Sequence, residues 1–235
     1  MQAPRLRVGI VGDTAEGRRL GEQLLDVGHT VTGLPDLMEA AGQELVIIAA
    51  TEEDLPGLVE ELSARARRGQ VYLHTCLAHG VQVLDPLETS GAVVIAAAEL
   101  SPRRWAVTAA DELGQTVVEL LVGELGAGVV TVTDAQRLRL ATAMTYVRAA
   151  AAVGEDARRM LATIIEDREE AGDISRETDP AVRLPDIGGP AGLVAQRGSI
   201  DEPGRARAFR DLVRRAAEIT QSHDIELWAI QEEKP

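Results

Sequence analysis

Short aliphatic runs alternate with stretches of helical spacing from Leu6 to Val132, and a chain written this way has few folds open to it. Leu6–Val11 is an apolar run, Leu20, Leu24 and Val27 follow at helical spacing, Gly28 is a stop signal, and Thr30–Thr32 is strand-like. Leu45–Ala50 has the unbroken aliphatic character of a strand buried on both faces. Leu55, Leu58, Val59, Leu62 and Ala66 then line one side of a helix that Thr51 is placed to cap. The alternation continues through a strand at Gln70–His74, a helix from about Gly80 to Glu88, and strands at Ala92–Ala97 and Ala106–Ala109. A helix carrying Leu113, Val117, Leu120 and Leu121 and a strand at Val129–Val132 end the series. Repeated strand–helix units of this kind require a parallel sheet covered by helices.

The pattern changes after Thr133. Thr133 and Gln136 have capping-box spacing, and the Ala-rich stretch to about Arg168 predicts one long helix or two joined ones. The Glu and Arg residues between 155 and 183 suit a solvated helix face. Residues 172–204 are rich in glycine and proline and predict a loop-rich connection, and Pro203 is placed to open a last helix running to about Ser222. Two domains are expected, residues 1–133 and an all-α domain over 134–235. With a formal net charge of -14, the chain is a poor match for nucleic acid or an anionic membrane. Arg65, Arg67 and Arg68, or Arg103 and Arg104, are clusters too short to alter that. Cys76 is the only cysteine, which rules out an intramolecular disulfide. The first residues lack the apolar core of a signal peptide and no run reaches ~18 apolar residues, so a cytoplasmic location is expected.

Function is carried by the turn between the first strand and first helix, Val8-Gly9-Ile10-Val11-Gly12-Asp13-Thr14-Ala15-Glu16-Gly17. A dinucleotide fingerprint belongs at this place in a Rossmann-type α/β fold: glycines make the turn, admit the pyrophosphate and let helix and strand close together. Gly12 and Gly17 fill the first and third positions, while Thr14 stands at the second, and Asp13 and Glu16 add negative charge beside the anion site. A phosphate would be held through the Thr14 hydroxyl and the first-turn amides of Ala15, Glu16 and Gly17. Asp36 is the nearest acid to the expected ribose position, and Arg18 and Arg19 are either 2′-phosphate partners or an exposed helix face. NAD and NADP both remain open as the cofactor. So does a turn that keeps its packing glycines without binding a dinucleotide.

These segments resemble uncharacterised Rossmann-like proteins of the 6-phosphogluconate dehydrogenase-like superfamily with a helical C-terminal domain, related to pyrroline-5-carboxylate and ketopantoate reductases. The resemblance rests on Val8–Gly17, Gly28-His29-Thr30-Val31, Leu45–Thr51 and an acidic helix start, and Val83-Leu84-Asp85-Pro86-Leu87. Its most specific part is His74-Thr75-Cys76-Leu77-Ala78-His79-Gly80, which is similar to that family's His-Thr-Ser-Gly segment. Gly189-Pro190 and Arg197-Gly198 are similar to a family pair that precedes the final helix. The resemblance implies an NAD(P)-dependent oxidoreductase acting on a small metabolite, a homodimer formed through the helical domain, and Gly12, Asp13, Thr14, Thr51, Thr75 and Cys76 around the nicotinamide nucleotide. Two departures stand against it. The stretch between Val31 and Leu45 is too short for the helix and strand that wall the adenosine, and Ala98-Glu99 replaces a His-Pro pair.

Candidate chemistry is sparse. His79 is the best-placed proton donor, while His74 at a strand end suits a structural histidine. Cys76 either has thiolate character beside a helix start or is a small buried residue. His74, Cys76 and His79 have no companions that complete a metal set, so no metal is expected. Glu99 ends an apolar run where a cleft often opens, or is an exposed strand-end carboxylate. The competing class is a non-catalytic protein that keeps the fold for ligand sensing or assembly.

Overall fold

The computed structural model describes residues 5–165, 167, 170, 173 and 189–232. Arg168 and half of the charged positions between 155 and 183 lie outside the described residues. The chain forms two compact units, one ending at Leu140 and the other beginning at Ala141.

In the first unit the aliphatic runs become seven strands: β1 (Arg7–Val11), β2 (Thr30–Gly33), β3 (Leu45–Ile48), β4 (Val71–His74), β5 (Val93–Ser101), β6 (Arg104–Ala109) and β7 (Gly128–Thr131). They form one sheet in the order β2-β1-β3-β4-β5-β6-β7. All neighbours are parallel except β5 and β6. Because β1 is followed by β2 on one side and by β3 on the other, the strand order reverses at β1 and β3, which opens a crevice at their carboxyl ends.

Helices cover both faces, as the unbroken apolar strands require. On one face α1 (Ala15–Asp26) and α4 (Glu112–Glu124) place Leu20, Leu24, Val118 and Leu121 against Leu73, Ile95, Ala97 and Trp105. On the other, α2 (Leu55–Ser63) and the short α3 (Asp85–Glu88) place Leu55, Val59, Leu62 and Leu87 against Val46, Ile48, Tyr72 and Val94. This is the α/β fold with a mostly parallel Rossmann-type sheet, followed by helices.

Several local expectations change. Thr51 is not the helix cap: Asp54 holds that position, and the Thr51 hydroxyl bonds Asp54 instead. The stretch from Gly80 to Glu88 is a 3-10 turn at Val81–Leu84 followed by α3, with Pro86 supplying the fixed φ suited to a helix start. β5 does not stop at Ala97 but runs to Ser101 and turns into antiparallel β6, so Glu99 lies inside a strand. The region between β2 and β3 holds a 3-10 segment, Leu37–Gly42.

Beyond β7 lies α5 (Asp134–Ile164), in which Gln136 Oε1 accepts the Thr133 amide at 2.9 Å, one half of the capping box. The second unit continues with helices Pro190–Gly198, Pro203–Thr220 and His223–Gln231. Gly189-Pro190 therefore opens a helix inside the stretch expected to be loop. The helix from Pro203 is not the last: Gln221, at φ 59°, breaks it, and Ile225, Trp228 and Ala229 then bury the face of another against Phe209 and Val213. Among the described residues no helix is long and apolar enough to cross a membrane.

Candidate functional site

Three loops leave the carboxyl ends of β1, β3 and β4, and all lie in the first unit. The first is the glycine turn. Gly12 sits at φ +91°, and a Cβ there would lie 2.2 Å from the Ala49 carbonyl oxygen, so the turn requires glycine for its conformation and for its closeness to β3. A Cβ on Gly17 would lie 2.1 Å from the Ala49 methyl, which makes Gly17 the point where α1 closes on the sheet. Thr14 is the N-cap of α1: its Oγ1 accepts the Gly17 amide at 3.2 Å, and its carbonyl accepts the Arg18 amide at 3.0 Å. Thr14 thus satisfies one of the orphan donors of the helix start, while the Ala15 and Glu16 amides precede the first intrahelical bond.

Charge around this turn is organised by hydrogen bonds and an ion pair. The Arg18 guanidinium folds back to the Asp13 carbonyl oxygen. Arg19 pairs with Glu99, which is only 7% exposed, so Glu99 is a buried strand carboxylate rather than an exposed one. The Glu99 amide donates to Glu16 Oε1 at 3.3 Å. Asp13 remains exposed. Asp36, three residues past β2, caps the 3-10 segment by accepting the Met38 amide at 2.8 Å.

The second and third loops interlock. The Thr51 hydroxyl donates to Asp54 Oδ2 at 2.7 Å and accepts the Asp54 amide at 3.2 Å. Thr75 is buried and its amide donates to the Ile48 carbonyl at 3.3 Å, while the Cys76 thiol donates to the Ala50 carbonyl at 3.1 Å. Burial, reinforced by the Glu52 and Glu16 carboxylates, pushes the Cys76 thiol well up, so it is a protonated packing group and not a thiolate. Glu52, absent from the sequence candidates, is half-buried beside His79 and accepts the Ala78 amide; burial pushes its carboxyl up against the opposing pull of His79. No spacing signal marks Glu52, since it lies in the run Glu52-Glu53-Asp54 that reads as an acidic helix start.

His74 is fully buried and its Nε2 meets the Gly80 carbonyl at 3.0 Å. The loop is then held by Asp134 at the start of α5, whose carboxylate accepts the Val81 and Gln82 amides at 2.9 and 3.0 Å. The structure thus brings Gly12, Asp13, Thr14, Ala15, Glu16, Gly17, Thr51, Thr75, Cys76 and His79 to one end of the sheet, with Asp36 past β2. A depression bounded by Arg68, Glu88, Val93, Asp111 and Leu113 lies at the opposite, amino-terminal end of β4 and β5. Among the described residues no group of three or more His, Cys, Asp or Glu could hold a metal ion.

Comparison with known proteins gives a family model at each end of the chain. Residues 34–98 match a Rossmann-like domain, a stretch that begins after the glycine turn and contains Thr51, Glu52, Thr75, Cys76 and His79. Residues 133–232 match the 6-phosphogluconate dehydrogenase C-terminal domain-like family. No curated protein matches significantly. Among solved structures, the chain is similar to Plasmodium falciparum pyrroline carboxylate reductase with NADP bound (10% identity, TM-score 0.57, 96% of each chain). It is also similar to Mycobacterium tuberculosis 3-hydroxyisobutyrate dehydrogenase with L-serine (12%, TM-score 0.62, 98% of this chain and 100% of that one). A third is a pyrroline-5-carboxylate reductase from Coxiella burnetii (12%, TM-score 0.57, 97% and 94%). At these identities the likeness is one of fold. The chain thus carries a Rossmann-like domain and, over residues 133–232, a 6-phosphogluconate dehydrogenase C-terminal domain-like one.

Proposed function

We propose that the first unit binds a nicotinamide dinucleotide across the carboxyl ends of β1 and β3, and that the protein is an NAD(P)-dependent oxidoreductase acting on a small metabolite. One observation carries this: the strand order reverses where the Gly12 turn delivers the start of α1, and Gly12 and Gly17 both fit too tightly against Ala49 to accept a side chain. The Ala15 and Glu16 amides and the Thr14 hydroxyl hydrogen receive the diphosphate, with Arg18 offsetting the charge of Asp13 and Glu16. Asp36 has a second carboxylate oxygen for a ribose hydroxyl beyond the one that caps Leu37–Gly42. When bound, the dinucleotide supplies the hydride chemistry. His79, with Glu52 at hand to orient it or return its proton, is the chain's proton donor at the groove.

A second reading, a non-catalytic ligand-sensing or assembly protein, is favoured by the carboxylates of Asp13 and Glu16 in the turn and by Thr14 occupying the Gly17 amide. Thermal unfolding with millimolar NADH or NADPH separates the two, because a ligand that binds only the native state raises the midpoint once it exceeds its dissociation constant. The expected result is a higher midpoint with one dinucleotide, lost in Gly12→Val, whose own midpoint falls because a side chain at φ +91° meets the Ala49 carbonyl, with helical content retained below that midpoint. No response to either dinucleotide sinks the oxidoreductase reading. A response that survives Gly12→Val moves the site elsewhere.

A further inference from the structure

We propose that His74 and Arg137 together form a buried binding site for one neutral hydroxyl group at the carboxyl end of β4. The proposal stands apart from the dinucleotide reading and survives its failure.

His74, Ala96 and Thr108 lie in register across β4, β5 and β6 and so present their side chains on one face. Arg137, in the first turns of α5, covers that row and is fully buried. The small side chain of Ala96 leaves room for the guanidinium. Nε donates to Thr108 Oγ1 at 2.8 Å and Nη2 to the Ala96 carbonyl at 2.5 Å, so one edge of the fork is committed to the sheet. Nη1 has no hydrogen-bond partner among the described residues, and neither has His74 Nδ1. Arg137 Nη2 bonds the carbonyl of Ala96, the register partner of His74, and the Arg137 charge acts on both His74 and Cys76, which places the two unpaired atoms in one neighbourhood. Buried polar atoms are paired as a rule, so two in one place point to a third group that pairs with both.

The chemistry of that group follows from the protonation states. The Gly80 carbonyl can only accept, so His74 Nε2 carries the proton and Nδ1 presents a lone pair. Burial and the neighbouring guanidinium push the His74 pKa down to about 3, so the ring is neutral at physiological pH. Arg137, although burial brings its pKa down to about 10, keeps its charge and offers a donor. One orphan donates and the other accepts. A carboxylate or halide would satisfy Arg137 but face the Nδ1 lone pair, and an ammonium group would face the guanidinium; a hydroxyl accepts from one and donates to the other. Two sources carry this chemistry, solvent water and the alcohol of a ligand. Leu77, Ala78, His79 and Gly80 next along the chain are half-buried, so the site lies one loop below the surface.

Crystals of the full chain test this. Grown without alcohols, they should show one oxygen within ~2.7–3.2 Å of both Arg137 Nη1 and His74 Nδ1. Soaks in 2-bromoethanol distinguish the sources: anomalous bromine beside that oxygen identifies an alcohol site, its absence beside an unchanged oxygen identifies water, and both support the proposal. Bromide bound on Arg137 in bromide soaks, a direct Arg137–His74 hydrogen bond, or nothing between the two atoms overturns it. In solution, nitrogen NMR of His74 should report a neutral ring with Nδ1 as a hydrogen-bonded acceptor at pH 7; a protonated Nδ1 refutes it independently of crystals.

Discussion

At the scale of single residues, Ala49 sets what the glycine turn tolerates, because its carbonyl lies against Gly12 and its methyl against Gly17. Gly17→Ala puts two opposing effects in one substitution. Replacing a helical glycine gains about 1 kcal/mol of helix propensity. The added methyl meets the Ala49 methyl at 2.1 Å, and overpacking in a fixed core costs roughly 1–3 kcal/mol, at the upper end for so close a contact. The clash should win, lowering stability by ~1–2 kcal/mol net in urea unfolding. Gly57, with nothing within 4 Å of its Cβ position, lies in α2 and has only the propensity gain, so Gly57→Ala should be neutral or stabilising. If Gly17→Ala behaves like Gly57→Ala, α1 does not close on β3 as described. The glycines were legible in the sequence because their role is steric and local. Glu52 and Arg137 were not, because a half-buried carboxylate and a fully buried guanidinium are written with the same letters as surface charges, and only the loop from β4 and the small side chain of Ala96 set them apart.

At the scale of elements, the strands were legible because both-face burial leaves uninterrupted aliphatic runs, but their ends were not. Ala98-Glu99-Leu100 continues β5 because Glu99 finds Arg19 and its amide finds Glu16, contacts from α1 that lie some 80 residues back along the chain. The loop after β4 is fixed in the same long-range way by Asp134, whose two oxygens serve Val81 and Gln82. Gly80 leaves room for that carboxylate, since a Cβ would lie 2.0 Å from the Asp134 carboxyl carbon. Asp134→Asn keeps the shape but leaves one of the two amides facing an NH2 group. The charge near the α5 start is lost as well. The expected cost is about 1–3 kcal/mol, localised: hydrogen exchange at Val81 and Gln82 should accelerate while the β3 and β4 amides stay protected. Uniform acceleration across the sheet, or none at Val81, would show that Asp134 is not what holds this loop.

For the whole molecule, the two units each carry one buried tryptophan, Trp105 in the first and Trp228 in the second, so their stabilities can be followed separately. His74 gives the first unit a pH dependence. Burial and Arg137 hold its folded pKa at about 3, below the ordinary value of 6.5, so between these values the unfolded chain binds a proton that the native state refuses. Its contribution is therefore fully present above pH 6.5 and is lost as pH falls towards 3, with a slope of up to ~1.4 kcal/mol per pH unit. Glu52 acts in the opposite direction, since its raised carboxyl pKa makes the native state the better proton binder in the acid range, and it flattens the lower part of the curve. The only described histidine past Leu140, His223, is exposed on the surface of the second unit. Urea unfolding of Trp228→Phe, which leaves Trp105 as the reporter, should lose stability between pH 7 and 5, whereas Trp105→Phe should report a transition much less sensitive to pH. His74→Phe should remove most of that slope from the Trp105 transition. A Trp105 transition flat from pH 7 to 5 would mean that His74 is charged in the folded protein, and that its ring does not have the neutral form on which the Gly80 contact depends.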